Sequence, residues 1–160
     1  MKAIIFASGS LDSKDLLKKY WEDADIILCA DGGFRYAKDA GIVPDKIIGD
    51  MDSISGKDLE LAKAWGVKLG YLPRQKEYTD TMHALQAAVE FGATRIYLLA
   101  GLGDRPDHSL ANIFLMVEAK KMGSDLILVG EGWEMFLISA YREVHGNVDD
   151  ILSLIPINGP

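Results

Sequence analysis

The sequence predicts an α/β domain: a mostly parallel, Rossmann-like sheet with helices on both faces. Three observations predict it. Short β-branched or apolar runs alternate with longer segments of helical period along most of the 160 residues. The strand runs are continuously apolar instead of alternating, as expected for strands covered on both faces. Nearly every glycine-rich or carboxylate-rich segment follows a predicted strand, while the opposite connections, such as Phe91-Gly92-Ala93-Thr94, carry plain turn chemistry.

The first strand is read at 2–7 and ends at Ser8-Gly9-Ser10. A helix at 13–21 leads to a strand at 25–29, built on Ile26-Ile27-Leu28 and followed by Asp31-Gly32-Gly33. A helix at 33–40 leads to a short strand at 46–48, which runs into Gly49-Asp50-Met51-Asp52-Ser53. A helix at 57–65 then precedes a strand at 68–71 and the polar stretch Arg74-Gln75-Lys76-Glu77-Tyr78-Thr79-Asp80. The helix at 79–91 is the clearest, because Met82, Leu85, Ala88 and Val89 form one apolar stripe and Gly92 closes it. After a strand at 95–100 comes Gly101-Leu102-Gly103-Asp104-Arg105-Pro106-Asp107-His108. A helix at 107–122 follows, with an apolar stripe read at Leu110, Ile113, Phe114 and Val117, and then a strand at 125–129. The tail breaks the rhythm: strands at 134–139 and 151–157 have no helix between them. Residues 1–140 therefore read as one α/β domain and 141–160 as the start of an incomplete C-terminal β domain.

Composition narrows the function. At 49% hydrophobic and 26% charged residues the chain is an ordinary globular one. Its 16 Asp and 8 Glu against 17 Lys and Arg give a net charge of −7. Asp favours caps, turns and hard cations, so many carboxylates serve local roles. The acidic balance, with five Arg, argues against a nucleic-acid or anionic-membrane partner. A negative protein that binds an anionic nucleotide needs a bridging cation. No apolar run reaches the ~18–20 residues of a membrane span, and the apolar start is too short for a signal peptide. Cys29, the lone cysteine, reads as a buried small hydrophobe in a reducing cytoplasm. No serine sits in a G-x-S-x-G elbow, and one Cys with three scattered His makes a poor zinc set.

The predicted carboxyl edge of the sheet collects the residues with chemistry. Asp50 and Asp52 are two apart, so in extended chain both side chains point one way while Met51 points into the core. Paired carboxylates repel unless a cation sits between them, and Mg²⁺ is commonly held by one or two carboxylates plus substrate phosphates. Asp80 could supply a third oxygen, and Asp31 lies on the same edge. Taken singly, each of these residues is also explained as a strand end, a turn residue or, for Asp80 and Thr79, a helix cap. The loop at 101–105 leads a strand into a helix N-terminus, a plausible phosphate cradle with Arg105 as charge partner. A Pro-containing turn with Asp107 as N-cap accounts for it equally well. His108 suits a neutral hydrogen-bonding role, and Asn112 shares its helical face.

Together these motifs resemble, in order and spacing, the catalytic domain of the thiamine pyrophosphokinase family. They are Ala30-Asp31-Gly32-Gly33, Gly41-Ile42-Val43-Pro44-Asp45, Gly49-Asp50-Met51-Asp52-Ser53, Lys76-Glu77-Tyr78-Thr79-Asp80 and the run from Gly101 through Arg105 and His108 to Asn112. The resemblance implies transfer of a diphosphate from ATP to the hydroxyl of thiamine, with Mg²⁺, by a homodimer whose Rossmann-like domain is followed by a C-terminal β-sandwich. It implies that Asp50, Asp52 and Asp80 hold Mg²⁺ with Asp31 beside them. Arg105, Asp107, His108 and Asn112 would contact ATP, and Gln75, Lys76 and Thr79 would line the phosphate and substrate side. Met51 stands where the family usually has Phe, Glu77 stands where Asp is usual, and most of the β-sandwich would lie beyond Pro160. The alternatives are a sibling diphosphokinase acting on another primary alcohol, such as a hydroxymethylpterin, and a nucleotide-binding module without turnover.

Overall fold

A computed structural model describes residues 1–11, 18–75 and 77–157. Its strands are β1 (Lys2–Phe6), β2 (Ile26–Ala30), β3 (Lys46–Gly49), β4 (Lys68–Tyr71), β5 (Arg95–Leu99), β6 (Asp125–Gly130) and β7 (Trp133–Phe136). The helices are α1 (Lys18–Trp21), α2 (Phe34–Asp39), α3 (Gly56–Ala64), α4 (Asp80–Glu90) and α5 (Pro106–Lys121). The expected helix at 13–21 is seen through its last turn, since 13–17 fall outside the described residues.

The strands form one sheet in the order β4-β3-β2-β1-β5-β6-β7, parallel throughout except for β7, which runs antiparallel to β6. The chain winds outward from β1 to β4, then crosses back over the sheet to place β5 on the other side of β1. The order therefore reverses between β1 and β5, the topological switch point of a doubly wound sheet.

Alternate side chains of each strand serve opposite layers. Ala3 and Ile5 of β1 face α4 and α5 with Leu28, Leu85, Leu98 and Leu115. Ile4 and Phe6 face α1, α2 and α3 with Tyr20, Phe34, Ile47 and Ala62. Burial on both sides explains why the strands lack a period of two. The stripe expected on α4 holds: Met82, Leu85 and Ala88 are buried, Val89 packs against them, and Gly92 follows the helix at φ 89°. Thr79 caps α4, its Oγ1 accepting from the Met82 amide at 3.2 Å.

Two sequence expectations change. On α5 the buried residues are Asn112, Leu115, Met116 and Ala119, while Leu110 and Phe114 are more than half exposed. Ile113 of the expected stripe does pack against the core, but the buried face is centred on Leu115, Met116 and Ala119, with Asn112 beside them holding the loop before the helix. In the tail, the strand expected at 134–139 forms only as the shorter β7, which ends at Phe136 and joins the α/β sheet, and 151–157 forms no strand among the described residues. A strand exists only by pairing, and the apolar side chains there, including Ile151 at 92% exposure, meet no partner segment among the described residues.

Cys29 lies in β2 with no solvent exposure, and burial pushes its thiol pKa well up. Reactive cysteines are exposed thiolates, so Cys29 is expected to resist thiol reagents in the native protein. Labelling should appear only on unfolding, at one equivalent per chain, and fast native labelling would contradict the placement.

Candidate functional site

The carboxyl ends of β1 and β5 support two glycine-containing loops that continue the pairing beyond the strands. Gly9 N–H donates to the Ala100 carbonyl at 2.8 Å and Ser10 N–H to that of Leu102 at 2.7 Å. Arg35 Nη2 donates to the Ser8 and Gly9 carbonyls, both at 2.8 Å. From the other side α5 pins the 101–103 loop: Asn112 Nδ2 donates to the Gly101 carbonyl at 2.6 Å, and Ser109 Oγ accepts from the Gly103 amide at 3.0 Å. Arg105 occupies the cap position of α5 without a side-chain cap bond, and Pro106 opens the helix. Asp107 is thus in the first turn and not the N-cap, because Pro106 supplies the restricted φ of the first helical position. Arg105 closes on Asp107, with Nη2–Oδ2 at 2.6 Å and Nε–Oδ1 at 3.3 Å, and holds that carboxyl below the usual range.

The ends of β2 and β3 carry the acidic cluster. Asp31 leaves β2 at φ 44° and is 6% exposed. Gly49, ending β3, lets Asp31 lie against it: a Cβ there would stand 2.8 Å from Asp31 Cβ. Asp50 and Asp52 do project together, but on a turn, not an extended strand. Met51 adopts φ 64° and buries its side chain in the α1–α3 layer, while the Asp52 amide donates to Asp50 Oδ1 at 3.1 Å. With Ala100 at φ 54°, Asp31 and Met51 put three non-glycine residues in left-handed backbone along one sheet edge. Such outliers concentrate at functional sites.

Carboxylate oxygens of Asp31, Asp50 and Asp52 lie within 4.8 Å of one another. Asp31 Oδ1 is buried without a hydrogen-bond partner among the described residues. Burial raises the Asp31 pKa first; the Ser53 hydroxyl opposes this, and the charges of Asp80, Asp50 and Asp52 add to the rise. Asp52 is held low, first by Arg74, whose Nη2 donates to Oδ2 at 2.8 Å, and also by Asp50 and Ser53. This set of hard oxygen donors, one of them buried and unpartnered, fits a divalent cation of the Mg²⁺ type.

The structure therefore brings Asp31, Asp50 and Asp52 into one group. Asp80, the first residue of α4, stands near enough to act on Asp31 but outside that group. Gln75 is exposed on the loop between β4 and α4, and Lys76 lies outside the described residues. His108 is half exposed, with Nε2 3.9 Å from Asp107 Oδ2. Sequence reasoning left out Arg74 and Arg35. Only proximity in space marks either one, apart from the place of Arg74 in the polar stretch before Asp80.

Thr79 has a structural role that is separable from any substrate contact. Thr79→Ala removes the α4 cap and is expected to cost about 1 kcal/mol, or roughly 2–4 °C in Tm for a chain of this size. Thr79→Ser should restore the loss, and an unchanged Tm in Thr79→Ala would refute the capping role.

The fold and this edge define a doubly wound α/β domain with an acidic, cation-suited site at the carboxyl ends of β2 and β3. The family model for the thiamin pyrophosphokinase catalytic domain matches residues 17–128, and the chain belongs to that family. It is 30% identical over 130 residues to thiamine pyrophosphokinase of Bacillus subtilis, covering 81% of this chain and 61% of the relative. It is 31% identical over 114 residues to thiamine pyrophosphokinase 2 of Arabidopsis thaliana, covering 58% of this chain and 43% of the relative. The chain thus spans less than two thirds of the length of these relatives. The crystal structure of the Bacillus subtilis protein matches with a TM-score of 0.70 at 29% identity, covering 81% of this chain and 60% of that one. Thiamin pyrophosphokinase from Candida albicans matches at TM-score 0.69 and 18% identity, over 81% of this chain and 58% of that one, a likeness of fold.

Proposed function

We propose that the chain is the catalytic α/β part of an ATP-dependent diphosphotransferase. It moves the β,γ-diphosphate of ATP onto the hydroxyl of thiamine, giving thiamine diphosphate and AMP. The observation that carries this reading is the gathering of Asp31, Asp50 and Asp52 around a buried, unpartnered carboxylate oxygen, in a chain of this family. Asp50 and Asp52 would hold Mg²⁺ with Asp80 from the start of α4, and Asp31 would stand beside them. Bound there, the cation supplies neutralisation of the polyphosphate and of the charge that develops during transfer.

The chain's own residues do the rest by positioning. The loops after β1 and β5, locked by Arg35, Ser109 and Asn112, form a rigid floor at the start of α5, whose first amide groups favour an anion. Arg105, Asp107 and His108 stand at that helix start for the nucleotide. Gln75, Lys76 and Thr79 would line the phosphate and acceptor side. The hydroxyl oxygen of thiamine bonds to the β-phosphorus, and the bond to the α,β-bridging oxygen breaks, leaving with AMP. The hydroxyl proton passes to a carboxylate of the cluster, and buried Asp31 is the candidate acceptor. The same reading includes a cytoplasmic homodimer, in keeping with the buried lone Cys29, residues 1–140 as the catalytic domain and 141–160 as the start of a C-terminal β region.

Incubation with ATP, Mg²⁺ and thiamine is expected to release AMP and thiamine diphosphate in equal amounts. AMP formed with a hydroxymethylpterin instead would replace the acceptor in this proposal. ATP binding without AMP release under any of these conditions would reduce the chain to a nucleotide-binding module.

A further inference from the structure

Arg74 stands on the loop between β4 and α4 with its side chain 80% exposed, yet it reaches across to the end of β3 and donates to Asp52 Oδ2 at 2.8 Å. Asp52 Oδ1 accepts from the Ser53 hydroxyl at 3.2 Å, so both oxygens of this carboxylate are engaged. A Mg²⁺-type cation binds a carboxylate oxygen at about 2.0–2.1 Å. Placed on Asp52, it would stand within roughly 5 Å of the guanidinium, and the two positive charges would repel. The exposed pair is weakly held, and the long arginine stem lets its head move without disturbing the fold. The bond to Asp52 engages a single guanidinium nitrogen, and the planar fork of donors suits phosphate oxygens. Arg105 stands at the start of α5, on the nucleotide side, and Arg35 is spent on the Ser8 and Gly9 carbonyls, which leaves Arg74 as the arginine at the acidic cluster.

We propose that Arg74 is a movable positioning residue that neutralises Asp52 until a metal–polyphosphate arrives, and then yields Asp52 to the metal and turns its guanidinium to the polyphosphate. This rests on the reading of the acidic cluster as the metal–nucleotide site. It makes Arg74 a brake on metal binding alone and an aid to nucleotide binding, two effects of opposite sign on one side chain.

The test compares the whole chain with Arg74→Ala and Arg74→Lys, using Mn²⁺ alone as a paramagnetic probe and then ATP at saturating Mn²⁺. Arg74→Ala should bind Mn²⁺ alone roughly two- to fivefold more tightly, the range set by an exposed ion pair. It should bind ATP about tenfold more weakly, as for loss of a charge-assisted bond, with Arg74→Lys recovering part of the ATP affinity. A merely structural role would weaken both together, and that result, or an unchanged Mn²⁺ affinity, overturns the proposal. If wild type binds Mn²⁺ and turns over while Arg74→Ala alters neither affinity, the inference alone falls. If wild type does not bind Mn²⁺, the reading of the site falls with it.

Discussion

Asp31→Asn is expected to stabilise the fold while removing turnover. Asp31 is 6% exposed, has one oxygen without a partner among the described residues and faces the charges of Asp80, Asp50 and Asp52. Burying an ionised carboxylate under these conditions is costly, and asparagine removes the charge while keeping the shape. Asparagine also tolerates the left-handed backbone that Asp31 adopts at φ 44°. The gain is expected at about 1–2 kcal/mol, or roughly 2–8 °C in Tm, measured in metal-free buffer. Diphosphate transfer should fall by about 10²–10³-fold, the usual scale for losing one preorganised electrostatic group. A lower Tm in Asp31→Asn would show that local partners outweigh the burial of the charge. Undiminished AMP release would remove Asp31 from the machinery.

Gly9→Ala carries the largest expected loss of stability. A Cβ at Gly9 would lie 2.2 Å from the Leu102 carbonyl oxygen and 2.5 Å from that of Ala100. Both obstacles are backbone, so no side chain can swing aside. The collision separates the loops after β1 and β5 and strains the Gly9–Ala100 and Ser10–Leu102 hydrogen bonds. Overpacking and two weakened bonds together cost roughly 3–5 kcal/mol, read as a lower denaturation midpoint with little change in slope. The 101–105 loop should shift as well, so nucleotide binding falls in whatever protein remains folded. Stability within about 0.5 kcal/mol of wild type would mean that the loops are not joined in this way.

Much of the fold is legible along the chain. The strand beginning at Lys68 and ending at Tyr71, the α4 stripe and the closing Gly92 all appear where local pattern puts them. The edge that bears the site is legible too, because a parallel sheet sends every strand's carboxyl end to one side. Three features were not. The α5 stripe misleads because Leu110 and Phe114 have the right spacing, whereas the face packed on the sheet carries Leu115, Met116 and Ala119 together with the polar Asn112. The segment at 151–157 has strand composition but no partner to pair with among the described residues. The Arg74–Asp52 pair joins residues 22 apart whose contact follows no local rule.

The acidic cluster marks the boundary most clearly. Sequence alone placed Asp50 and Asp52 close together, since two residues of separation is a local relation, although it expected extended chain where the structure has a turn. From sequence the expected third ligand was Asp80, with Asp31 merely on the same edge. The closeness of Asp31 to that pair is visible only in the tertiary structure. β2 and β3 pair in parallel with Ala30 opposite Ile48, so Asp31 leaves the sheet beside Gly49, one residue before Asp50. Glycine at that position leaves the space a side chain would fill. Strand register is set by burial of both sheet faces at once, a property of the packed layers that no single stretch of sequence contains.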